Sequence, residues 1–352
     1  MVTFASTLRR LLAVGLVILA TTSSYCAPNK SKIVHKAKVI KYQDIPTTTH
    51  VKRRIFDNCN SDALLGAVAI YKINDNQALL QMVDGEWCIK WIDLNTGDTH
   101  GVIRTGRGPG EMLDAGVAGI ITEKDGTSKV TLYSLGSEVA VTVLISNTSD
   151  GWSCKEESRI HLPHGTMYAL SHNNGLYCYV FSSDNLIGWY LIDKDKQEEV
   201  IRPFGASGRV EDTSNYFAAT AIDTSNNRLI MGMTSFPRLY IFDLENASNP
   251  LSINLDSESD KSILTRLKSK NSAPSDWCVS ATTASNSIYI LTVDSSGVAD
   301  EFPKETIWKY SLDGRLLSKW TIPDFIVNFM VKDSGKSIIA ITINGELVEY
   351  SF

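Results

Sequence analysis

The chain has 352 residues, 43% of them hydrophobic and 21% charged, enough apolar material for one large domain or two small ones. Its net charge of −5 excludes a general electrostatic attraction to nucleic acid, which needs a basic surface to displace counterions. No stretch has the length and apolarity of a membrane-spanning helix, and no heptad pattern or low-complexity tract occurs.

Residues 1–26 read as a secretory signal peptide. Arg9 and Arg10 form a positive start, residues 11–20 (LLAVGLVILA) a ten-residue apolar core, and TTSSYCA a small and polar end. Its removal takes away two arginines and leaves a mature charge of −7. Cys26 raises the question of a lipid anchor. Tyr25 occupies the place where a lipoprotein signal has a small residue, so ordinary cleavage within residues 24–27 is expected ahead of lipidation at Cys26. The expected location is the periplasm or the cell envelope. Export permits disulfides. The remaining cysteines, Cys59, Cys88, Cys154, Cys178 and Cys278, include no CxxC and are odd in number, so most are read as small buried hydrophobes on strands.

From residue 67 onward, short runs of alternating apolar and polar residues recur in groups of four. The groups span residues 67–106, 117–162, 168–204, 216–256 and 278–323. Asp93, Asp193 and Asp243 each end the third run of a group, 100 and 50 residues apart, where an aspartate side chain caps a turn. A period of roughly 40–50 residues per four-stranded unit is that of propeller blades. The last group, from residue 326, has only three runs. A strand over residues 33–42 is expected to supply the missing fourth and close the ring, its Lys36, Lys38 and Lys41 protecting an outer edge. The expectation is an all-β, six-bladed propeller with four-stranded antiparallel blades in one domain, residues 27–352. One short helix is expected within residues 256–274.

The hexapeptide GRGPGE, residues 106–111, follows the outer run of the first group. Its glycines permit positive φ and close backbone approach, and Pro109 drives Gly108 extended. A degenerate echo, residues 200–212 against 102–114, marks it as an element of the repeat. The spacing matches neither a dinucleotide-binding loop nor a P-loop, and no helical pattern follows. The expected role is a blade-to-blade crossing, stapled by an Arg107–Glu111 contact. Arg104 or Arg107 facing the pore as an anion-binding group is the lesser alternative. On these six residues and the blade rhythm the chain resembles the exported six-bladed propellers of Bacteroidota, the TolB-like propeller lipoprotein group. Met112 stands where that group usually has an aromatic residue. The resemblance implies an exported propeller, usually without an assigned reaction.

Other chemistry is sparse. His161, His164 and His172 could include a metal pair, but two histidines three apart on a strand and turn point in different directions. No G-x-S-x-G elbow and no sialidase-type turn occurs. Trp87, Trp91, Trp189, Trp308 and Trp320 fall on strands and are expected to pack between blades, with carbohydrate stacking as the minority use. The expected function is non-catalytic binding of a protein or glycan partner through the loops or the axial channel, with Arg104, Arg107 and Glu111 as candidate ligand-binding residues and no catalytic residue. The alternative is a lactonase-like hydrolase with calcium at the axis, drawing on acidic residues such as Glu111, Asp114, Glu211 and Asp212. Three or more carboxylates and amides converging at the axis would favour the enzyme.

Overall fold

The computed structural model describes residues 37–59, 64–148, 151–173, 175–181, 187–193, 196–201, 217–234, 237–245, 250–257, 278–294 and 304–352. Two short strands, β1 (Lys38–Ile40) and β2 (Lys52–Ile55), precede the first blade. That blade comprises β3 (Ala67–Asn74), β4 (Gln77–Met82), β5 (Trp87–Asp93), β6 (Thr99–Thr105) and β7 (Glu111–Met112). The second is β8 (Gly116–Thr122), β9 (Ser128–Ser134), β10 (Val139–Thr148) and β11 (Gly151–His161). The third is β12 (Thr166–His172), β13 (Gly175–Phe181), β14 (Ile187–Asp193) and β15 (Lys196–Ile201). The fourth is β16 (Ala218–Asp223), β17 (Arg228–Met233), β18 (Arg238–Asp243) and β19 (Leu251–Asn254). The fifth is β20 (Cys278–Ala284), β21 (Ser287–Asp294), β22 (Lys304–Ser311) and β23 (Leu316–Ile322). The last is β24 (Ile326–Val331), β25 (Ser337–Thr342) and β26 (Leu347–Ser351).

Within each blade the strands pair in sequence order as an antiparallel meander, except that β7 adds in parallel to β6 in the first. The first strand of each blade packs beside the first strand of the next, and β24 packs beside β3, so the inner strands form a closed ring. The fold is a six-bladed β-propeller. Second strands are sandwiched between neighbouring blades and need no polar face. All six residues of β25 are therefore buried, and its sequence SIIAIT lacks clean alternation. The core lies in six wedges, one per blade interface. Leu79 and Val130 share the first-to-second wedge, Ala140 and Cys178 the next, and Tyr179 and Met231 the third. Ile230 and Ile290 share the fourth, Leu291 and Val348 the fifth. Leu80 and Ile341 share the wedge that closes the ring.

Closure uses a different strand from the one expected. Residues 38–40 do not reach the last blade. They add in parallel to the outer strand of the fourth, Lys38 opposite Leu251 and Ile40 opposite Ile253. The closing strand is β2, antiparallel to β26 with Lys52 opposite Ser351 and Ile55 opposite Val348. The reason is positional and chemical. A closing strand must hand the chain directly to the first inner strand, and β2 lies next before it. β2 is held by charge: Arg53 pairs with Asp324 at 2.6 Å and Glu346 at 2.9 Å. All four of its residues are exposed, so it carries no hydrophobic alternation.

Between these strands the chain runs along the rim as a strap. The Gln43 amide bonds Gly314 O and accepts from the Leu316 N–H, and Thr48 forms a parallel bridge to Trp320. Beyond β2, Asn58 Nδ2 donates to the carbonyls of Leu94 and Asn95 in the first blade. Residues 38–58 thus contact the fourth, fifth, sixth and first blades in turn. The turn caps at Asp93 and Asp243 are present, with Oδ1 accepting from Asn95 N and Glu245 N respectively. The turn after Asp193, the helix expected within 256–274 and the echo over 202–212 lie outside the described residues.

Candidate functional site at the propeller axis

The inner strands share an irregularity that sets up the axis. Register shifts fall near the start of five of them: Ala67/Ala69, Val117/Gly119, Thr166/Tyr168, Cys278/Ser280 and Ile326/Asn328. A bulge re-aims the side chains beyond it. At the last of these, Asn328 ties three blades together. Its Oδ1 accepts from the Ile70 N–H at 3.1 Å, and its Nδ2 donates to Ser280 Oγ at 3.0 Å. On the opposite side Gly119 is needed for close approach, since a Cβ there would stand 2.8 Å from Ser171 Cβ.

The six inner strands enclose a cavity of about 340 Å³. Its lining combines apolar residues such as Ile120, Leu170 and Phe329 with Tyr71, Thr220 and Thr282. Among the described residues, Lys72 is the one charged residue in that wall. Two blades neutralise it, for its Nζ lies 2.8 Å from Asp75 and 2.6 Å from Asp333. Burial pushes the Asp75 carboxyl up, but hydrogen bonds from Lys72 and the Asp333 N–H together hold it below its usual range. Burial pushes the Tyr71 hydroxyl up to about 12, and it donates to Gln81 Oε1 at 2.8 Å. Tyr71 is therefore neutral and engaged, as is Asn328. Such a wall offers a ligand a largely uncharged, shape-defined recess.

Among the described residues no group of three His, Cys, Asp or Glu could hold a metal ion, and none of the carboxylates reaches the cavity wall. Asp114 binds Ser134 Oγ and the Gly136 N–H in a turn, and Glu211 and Asp212 lie outside the described residues. His164 bonds Glu138, whereas His172 ends the inner strand that starts at Thr166, about 20 Å of extended chain away. His172 is buried, and its Nδ1 has no partner.

Arg104, Arg107 and Glu111 sit at the outer edge of the first blade, away from the pore. Arg104 pairs with Glu86 at 2.9 Å and stacks over Trp87. Arg107 is exposed and makes no ion pair with any described residue. Glu111 supplies the staple alone: the Gly108 N–H donates to its Oε2 at 2.7 Å. GRGPGE is a crossing with a detour. It first lays β7 alongside β6 in parallel, Arg104 opposite Glu111, before β8 starts toward the axis. Trp91, Trp189, Trp308 and Trp320 are buried, and Trp87 lies half-buried across Gly101. Cys59, Cys88, Cys154, Cys178 and Cys278 are all free; Cys154, on exposed β11, departs from the buried pattern.

The Lys72–Asp75–Asp333 group and the Asn328 tie were not read from the sequence, since each joins residues some 260 positions apart. The one available signal was that 70, 71 and 328 lie at corresponding places in inner strands of neighbouring blades.

No protein-family model matches the chain, and no curated protein matches it. Among the solved structures similar in fold are two from Bacteroides. One is a member of the DUF4221 family from Bacteroides vulgatus, with TM-score 0.56 and 10% identity over 87% of this chain and 97% of that one. The other is a Bacteroides fragilis protein thought to be exported, with TM-score 0.51 and 11% identity over 91% and 99%.

Proposed function

We propose that this propeller is an exported, non-catalytic binding module that receives a protein or glycan partner at its axial mouth. The observation carrying this reading is the axial cavity, walled among the described residues by uncharged side chains and one lysine paired with two aspartates. Pockets of this size lined by apolar residues and a few polar ones are the usual place for a ligand to enter. The six inner-strand turns around the mouth would supply further contacts. Export rests on residues 1–26, with the fold shared by the Bacteroides fragilis protein as a weaker support. Membership of the TolB-like lipoprotein group rests on residues 106–111.

The test is binding of the chain from Ala27 onward to glycan and peptide arrays, repeated with Thr282→Trp to fill the cavity. Binding that this variant weakens by tenfold or more (about 1.4 kcal/mol) sustains the reading. Calcium-dependent turnover of a lactone panel would replace it with the hydrolase.

A further inference from the structure

Most polar groups that line the axial cavity are already engaged within the protein. Tyr71 donates its hydroxyl to Gln81 Oε1 at 2.8 Å. Asn328 accepts from the Ile70 N–H and donates to Ser280 Oγ at 3.0 Å, which joins the sixth, first and fifth blades. Thr283 Oγ1 donates to the Ile222 carbonyl at 3.1 Å, across the boundary between the fourth and fifth blades. Lys72 Nζ is held by Asp75 and Asp333, and Asp75 also accepts the Asp333 N–H. Of the polar lining residues, these ties leave Thr220 and Thr282. All six inner strands belong to the described residues.

The apolar lining is continuous around the axis. Ile73, Ile120, Leu170, Ile222, Ala281 and Phe329 come one from each inner strand. This composition decides what can occupy the recess. A sugar carries a hydroxyl on nearly every carbon, and each one taken from water must find a partner. Two uncommitted threonines cannot supply them. A charged group would leave water without a free counter-charge, because the one lysine is flanked by two carboxylates and no carboxylate of a described residue lines the wall. An uncharged apolar group meets neither cost and gains from leaving water.

We propose that the axial cavity takes an uncharged apolar group, an alkyl chain or ring with at most one or two polar atoms, and refuses sugars and ions. The inference rests on the reading of this cavity as the ligand site and sets the glycan aside. A free small molecule and an apolar side chain of a protein partner offer the same chemistry.

The experiment is calorimetric titration of the chain from Ala27 onward with 1-butanol, 1-hexanol and 1-octanol, beside hexanoate, hexylammonium, glucose and N-acetylglucosamine. Affinity should rise about fourfold with each added methylene until the cavity is full. Hexanoate and hexylammonium should bind about tenfold or more weakly than 1-hexanol, and neither sugar should bind. Thr282→Trp should abolish alcohol binding. The double variant Thr220→Val, Thr282→Val removes the uncommitted hydroxyls and should keep alcohol binding within about fivefold. A capped five-residue peptide with a central leucine separates the two sources. Binding about tenfold tighter than that of 1-hexanol assigns the group to a protein side chain, and weaker binding assigns it to a free small molecule; both sustain the apolar class.

Sugar binding that Thr282→Trp removes would overturn the inference while keeping the cavity as the ligand site. Hexanoate or hexylammonium binding as tightly as 1-hexanol overturns it as well, as does alcohol binding that a folded Thr282→Trp variant retains. Absence of binding by every alcohol up to its solubility limit also overturns it, whereas the array experiment tests the site itself. The probe series on the parent chain needs no variant, so a poorly folding Thr282→Trp leaves the outcome readable.

Discussion

Glu111 turns its carboxylate back over its own loop and accepts the Gly108 N–H at 2.7 Å. That relationship explains the glycines. A Cβ on Gly106 would stand 2.0 Å from Glu111 Oε2, and one on Gly108 2.9 Å from it. The space a phosphate would need is filled by the protein's own anion. Glu111→Ala should therefore lower stability by about 1 kcal/mol, whereas Arg107→Ala should stay within about 0.5 kcal/mol of the parent. Urea unfolding of the two variants checks this. A larger loss from Arg107→Ala would restore the arginine staple.

Asn328 makes a second prediction. Replacing it by Ala leaves the Ile70 N–H without its acceptor and frees Ser280 at the axis. An unsatisfied buried donor costs about 1–3 kcal/mol, so Asn328→Ala should be markedly less stable than a substitution of similar size on the rim. Asn328→Asp keeps the acceptor but loses the donor, and should destabilise as well, most strongly at neutral pH where the new carboxyl is charged. Thermal melts at pH 5 and pH 7 would distinguish the two variants.

Closure by β2 predicts a sharp boundary for truncation. A chain starting at Val51 keeps the pairing of Lys52–Ile55 with β26 and should fold as a monomer, less stable for want of the strap. A chain starting at Asp57 loses that pairing, exposes the edge of β26 and should self-associate. Size-exclusion chromatography of both reads the outcome directly. Equal behaviour of the two would mean that β2 does not hold the ring.

The blade rhythm was readable because each strand carries its own periodicity and each turn its own aspartate or glycine. Six blades follow from local pattern alone. The closing strand was not readable in the same way. Its Lys52-Arg53-Arg54 run looks like loop, since its partners Asp324, Glu346 and Glu349 come from the far end of the chain. The more apolar residues 33–42 present a clearer strand, and only the ring geometry shows that the strand next before the first blade must be the one that closes. The parallel β7 was hidden for a related reason: two residues contain no period. The axis was least legible, because its chemistry is made of single residues from six strands.

The buried tyrosines set an alkaline limit. Burial raises the hydroxyls of Tyr71 and Tyr168 to about 12, against 10.0 in an open environment, the backbone contacts of each working the other way. Between those values the unfolded chain releases protons that the folded chain keeps. The stability these groups contribute is therefore whole below about pH 10 and falls as pH rises toward 12. Burial also raises the thiols of Cys178 and Cys278 to about 12 from 9.0, and their contribution has the same sign but begins to fall about a unit lower. Melting temperature should thus be flat from pH 7 to 8 and decline steadily above pH 9. Tyr168→Phe keeps the ring and removes one ionisation. It should cost about 1 kcal/mol at pH 7 for the lost hydrogen bond with the Ala218 backbone and show a shallower decline above pH 10. Tyrosinate absorbance followed through an alkaline titration gives an independent reading: the residues concerned should ionise only as the fold is lost. A full set of tyrosines titrating near 10 in a chain that still melts cooperatively would contradict the burial of these hydroxyls.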